Sequence, residues 1–244
     1  MKEKQVFFNP FRLISPKLNA EASRLHEIYD SPPAEVTCLE EGLLVMLSKL
    51  RESAELTYKS LVLASPEKLE RSKILGQEVH DEEKALTGAI VCHPQTTGPV
   101  VKALVLFPGK LERIGDFLES VANCSQIRAR DGIPLSDKAM TELAQLFDLF
   151  IEILTKFSEA ILNPRNEPLE DIVAKEKMLA QMTLDFALAH EERLIDGTCV
   201  PKASSIYLDI LDSVKNSGSH IRSMAESLLT ITESHGTGQA VSGN

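Results

Sequence analysis

Two acidic clusters hold the residues whose types and spacing best suggest chemistry. In EVHDEEK, Glu78, Asp81 and Glu82 fall within five residues, with His80 among them; in LERIGD, Glu112 and Asp116 stand four apart. Residues four apart share one face of a helix, so such carboxylates present oxygens to a single cation. If the two segments pack side by side, Glu78, Asp81, Glu82, Glu112 and Asp116 form an oxygen-rich, His-assisted site for a divalent metal such as iron, zinc or manganese. The bland alternative is a solvated face whose acids pair with nearby Lys or Arg. His190, His220 and Asp212 form a second metal candidate if adjacent antiparallel helices bring the two imidazoles together, although capping and core packing are commoner roles for histidine. Cys199 stands just beyond an expected helix end and reads as a packing or capping residue. There is no G-x-S-x-G elbow, Walker loop, G-x-G-x-x-G loop or Glu-x-x-His pair, which leaves hydrolase, nucleotide-binding and di-metal oxidase readings without support.

The elements that must position these residues are helices. The 244-residue chain is 43% hydrophobic but only 5% aromatic, with no Trp, a balance that favours aliphatic helix packing over a β-sandwich. Its formal charge of -10 disfavours nucleic-acid binding, which needs a basic surface. Cys38, Cys92, Cys124 and Cys199 are scattered and form no C-x-x-C pair, so reduced thiols and a cytoplasmic setting are expected. The opening MKEKQVFFNPFRLISP lacks the apolar run of about 7–15 residues that marks a signal peptide. No run of about 18 apolar residues suggests a membrane span.

Proline and cap signals divide the chain. Pro10, Pro16, Pro32 and Pro33 punctuate a lead-in over residues 1–36, with a short helix predicted at 19–28. Leu39, Leu43, Leu47, Leu50, Leu56 and Leu61 predict a helix over 39–63. Ser65 and Pro66 then serve as N-cap and first residue of a second helix that stops near His93-Pro94. A third helical region, 98–127, is expected to kink or divide at Pro108-Gly109. RDGIP, residues 130–134, reads as the linker. Beyond it Met140, Leu143, Phe147, Phe150, Leu154, Phe157 and Ile161 follow alternating spacings of three and four, an a/d stripe starting near Ser136 and ending at Asn163-Pro164. Helices over 169–194 and 202–233 follow, joined by the Asp196-Gly197 turn. The count is three long helices, a linker and three more. It predicts an all-α chain of two tandem antiparallel three-helix bundles, with domains at 1–132 and 133–233 and a small polar tail at 234–244.

The third and sixth helices align in register. LERIGDFLESVA (111–122) lies over VKNSGSHIRSMA (214–225), matching Gly115 with Gly218 and Ala122 with Ala225. Both glycines read as points of close helix approach. LERIGD resembles the signature of the PhoU family of phosphate-signalling regulators. HEERLIDGTC (190–199) with IYLDIL (206–211) is similar to the PhoU-like domain of bacterial sodium/phosphate cotransporters. The resemblance spans roughly 40–232. It implies a non-enzymatic regulator that docks onto a phosphate-transporter component or a sensor kinase and meets the membrane only through that partner; a homodimer is expected separately, because helical bundles with apolar stripes often associate. It also implies acid-x-x-x-acid motifs that hold iron or zinc clusters in some relatives. Here Lys215 and Ser219 stand where the second motif would be, and Lys84 falls where relatives often place an acid, so at most one metal site is expected. The alternative from another functional class is a divalent-metal storage or sensing protein.

Overall fold

The computed structural model describes residues 34–92 and 99–237. The helix expected at 19–28 and the tail residues 238–244 lie outside the described residues. The chain divides into two compact units, Met1–Cys38 and Leu39–Asn244; of the first, the described residues 34–38 are helical. Seven helices are described: α1 (Ala34–Leu63), α2 (Pro66–Cys92), α3 (Pro99–Leu104), α4 (Phe107–Asp131), α5 (Asp137–Leu162), α6 (Asn166–Ile195) and α7 (Pro201–Thr237). No strand occurs among the described residues. The all-α expectation holds, with α1, α2 and α4 forming one three-helix half and α5, α6 and α7 the other.

Local chemistry places the helix ends. Ser136 is extended, and its hydroxyl accepts the Ala139 N–H at 3.2 Å, capping α5. Ser65 plays the same part for α2, with the Lys68 N–H 3.5 Å from its Oγ. α4 ends at Gly132, whose φ of 61° is left-handed. The Ile133 N–H returns to the Arg128 carbonyl at 3.0 Å, and the Ile133 side chain is buried, completing a Schellman-type stop inside the expected linker.

Two expectations need correction. The third region divides at Val105-Leu106, ahead of Pro108-Gly109, because Pro108 lies in the first turn of α4. A first-turn proline forgoes an N–H that would have no helical partner, so it starts this helix instead of kinking it. The last helix continues past Glu233 to Thr237.

One apolar core runs through both halves, from Leu39 on α1 to Leu228 on α7. α5 supplies much of it. Leu143, Phe147, Phe150, Leu154, Phe157 and Ile161 are buried as the stripe predicted, together with Ala139, Leu146, Leu149, Ile153 and Ala160. The buried face is therefore wider than an a/d seam, and Met140 sits at its half-exposed edge. Each buried Phe contributes about 1.5–3 kcal/mol. Tyr58 of α1 stacks on Phe147 with centroids 5.4 Å apart, and Phe107 of α4 meets Phe157 at 6.0 Å, so aromatic contacts tie the halves together. α4 also packs along α7, where Phe117 meets His220 and Lys110 donates to Ser223.

Candidate functional site

The predicted acidic residues separate into two faces of α2. Glu78 and Glu82 turn toward α1, where Lys49 reaches them at 3.4 and 3.3 Å, and Arg71 adds a second contact to Glu78 at 3.3 Å. Asp81 is exposed and accepts a hydrogen bond from Gln77 at 3.0 Å. Glu112 faces the opposite groove, with Oε1 3.1 Å from His80 Nδ1. Asp116 lies one turn further along α4, about half exposed, and Arg113 is 3.6 Å away. His80, Glu112, Asp116 and Glu119 line a polar groove of about 230 Å3, with Gly76 and Gln77 at its edge. The five carboxylates thus do not converge. Spacing places Glu112 and Asp116 on one face, but Lys49 draws Glu78 and Glu82 away. Among the described residues no three His, Cys, Asp or Glu side chains are grouped to hold a metal ion.

The second half presents a different constellation at the α6–α7 corner. Glu142 of α5 is 1% exposed. Arg193 of α6 grips both its oxygens, at 2.9 and 2.8 Å, and the Tyr207 hydroxyl of α7 donates to it as well. Such a bidentate, charge-assisted arrangement fixes geometry strongly. Arg193 also sits over the Tyr207 ring, 5.9 Å from its centroid. Burial alone would lower the guanidinium's pKa, but its hydrogen bonds, first to Glu142 and then to Cys199, hold it higher than usual. Burial, and then Glu142, push the Tyr207 phenol well above the ordinary tyrosine range. His190 packs against the Tyr207 ring at 4.8 Å, with its Nε2 3.0 Å from Ser204 Oγ.

His190 and His220 do not form a pair. His190 faces the start of α7 at Ser204, and His220 stands sixteen residues further along, about 24 Å at 1.5 Å per residue. Sequence reasoning found His190 and Cys199 but missed Glu142, Arg193 and Tyr207 as a unit. The available signal was an acid directly beside Leu143 of the α5 stripe and the H-x-x-R spacing on α6.

No family model and no curated protein matches the chain. Solved structures do. A crystal structure of PhoU from Pseudomonas aeruginosa superposes with a TM-score of 0.73 at 15% identity, covering 82% of this chain and 98% of that one. The phosphate transport system regulatory protein PhoU from Streptococcus pneumoniae gives 0.72 at 18%, covering 85% and 98%. The chain has the PhoU fold.

Within that PhoU-like frame the two aligned glycines differ. A Cβ on Gly115 would sit 3.6 Å from Val79 and 3.7 Å from Leu50, ordinary contact distances. On Gly218 it would come within 2.6 Å of Leu179 and 3.4 Å of Glu176. Close approach therefore requires glycine only at 218, which corrects the reading for Gly115. Val79 and Leu179 occupy equivalent places beneath the two glycines, which sets Gly76 opposite Glu176 and His80 opposite Ala180. Glu176 is 1% exposed and bonded to Arg222 at 2.8 Å. Burial raises its pKa, and Arg222 opposes the rise.

Proposed function

We propose that the chain is a non-enzymatic regulator of phosphate transport or phosphate signalling. It acts on the cytoplasmic side by docking onto a phosphate-transporter component or a sensor kinase. The observation that carries this reading is the near end-to-end superposition on PhoU structures, 98% of each covered. The described surface is consistent with docking in place of catalysis, since the strongest polar constellation, at Glu142, is buried and spends its charge on Arg193. No described helix is long and apolar enough to cross a membrane, so contact with a transporter would be made from its soluble face. The test compares phosphate uptake in cells with and without this chain, at high and low external phosphate. Uptake that escapes repression at high phosphate when the chain is absent supports the reading; uptake that is the same with and without the chain at both phosphate levels overturns it.

A second reading, divalent-metal storage or sensing, rests on the His80–Glu112 contact at the polar groove. Elemental analysis of the purified chain beside a Glu112→Ala, Asp116→Ala variant decides it. Stoichiometric iron, zinc or manganese lost in the variant supports this reading, and equal trace content in both removes it.

A further inference from the structure

The α6–α7 corner contains a buried titratable group, His190. His190 is 1% exposed, and its Nδ1 is buried without a protein partner while Nε2 meets Ser204. The ionisable groups around it are Glu142 of α5, with the exposed Lys138 4.0 Å beyond that carboxylate, Glu191 and Arg193 of α6, Cys199 of the turn and Tyr207 of α7. Glu142 is already committed to Arg193 and Tyr207, so the buried charges balance only while the imidazole is neutral. A proton on His190 adds a second buried cation beside Arg193, with no buried carboxylate left to receive it, an arrangement that a protein interior resists strongly.

The corner also touches the passage between the two halves. Pro134, Leu135 and Ser136 share a cavity of about 150 Å3 with His190, Cys199 and Val200. That cavity gives the ring a place to move.

We propose that this corner is a proton-operated latch: protonation of His190 breaks its packing between Ser204 and Tyr207, freeing the turn at 196–200 with the first turn of α7 and loosening the linker segment 134–136 against it. The proposal is independent of the regulatory reading, since it concerns the fold alone. In the closed state burial, and then Arg193, hold the imidazole below the ordinary histidine value. In the open state it returns to about 6.5. The closed latch is therefore fully favoured above that pH. Below it, opening rises by up to about tenfold per pH unit until the closed-state value is passed.

Hydrogen exchange of the full chain between pH 7.5 and 5.5, corrected for intrinsic rates, tests this. Amides over 194–206 lose about tenfold in protection at the lower pH, while the interiors of α1, α2 and α4 are unchanged. His190→Gln, which cannot titrate, removes the pH dependence; His220→Gln keeps it. In the wild-type chain, NMR titration of the His190 ring gives a value below that of an unfolded histidine, a readout that needs no variant to fold. Protection at the corner that is flat across this range overturns the latch. So does a pH response that survives His190→Gln, or a His190 ring that titrates at or above the ordinary value.

Discussion

The α2–α4 groove of the first half and the α6–α7 face of the second carry the same glycine and opposite chemistry. In the first, His80, Glu112, Asp116 and Glu119 line a polar depression above Gly115. In the second, Ala180, Leu184, Ala187, Leu208 and Leu211 line an apolar groove of about 430 Å3. Lys215 replaces Glu112 there and pairs with Asp212 at 3.1 Å. Two acids of the second half, Glu142 and Glu176, lie buried instead, each matched by an arginine. A shared fold thus leaves one half with solvated carboxylates that contribute little to stability and the other with buried ones that demand partners.

The largest difference between the halves is expected on removing one partner of each kind. Arg193→Ala removes both guanidinium contacts from the buried Glu142 carboxylate, leaving it the Tyr207 hydroxyl and Lys138 at 4.0 Å, and should cost about 3 kcal/mol. Asp116→Ala, at a half-exposed position, should cost less than about 0.5 kcal/mol. Urea denaturation of the two variants measures the gap, and similar costs would erase the contrast.

The glycines come next. Gly115→Ala should stabilise by up to about 1 kcal/mol through helix propensity. Gly218→Ala gains the same propensity but must displace the fully buried Leu179, an overpacking cost of about 1–3 kcal/mol. The net loss at 218 is about 1 kcal/mol, and opposite signs in melting temperature are the expected result.

A smaller effect distinguishes two helix ends within the first half. α4 stops on Gly132, whereas α1 stops on Ala64 at φ 50°, left-handed and exposed. Ala64→Gly should stabilise by about 1 kcal/mol or less; a loss in the same melting experiment would contradict it. Last, with no change in stability, alkylation at pH 8 should mark Cys199 far faster than Cys124. Cys124 is buried, and burial, then Asp209, push its thiol up to about 11. Peptide mass spectrometry resolves the two rates.

The α5 helix was fully legible because its signals are local: a three–four apolar rhythm, a Ser136 cap and an Asn163-Pro164 stop. Pro108 was legible as a breaker but not as a starter, since the same residue fits a helix's first turn and disrupts its interior. The role of Glu142 was hidden. Its partners Arg193 and Tyr207 stand 51 and 65 residues away, and an acid next to an apolar stripe reads as surface until the facing helices are known. That the five acids divide between two faces was hidden for the same reason. Four-residue spacing says which carboxylates share a face, whereas Lys49, from a different helix, decides where Glu78 and Glu82 turn.

Docking is the proposed mode of action of this PhoU-fold chain. Affinity capture of the tagged chain after in-cell cross-linking, from cells grown in high and in low phosphate, tests it most directly. The expected result is enrichment of a phosphate-transporter component or a sensor kinase that changes with phosphate supply. Recovery of the chain alone, or of the same partners at both phosphate levels with neither class among them, would contradict it.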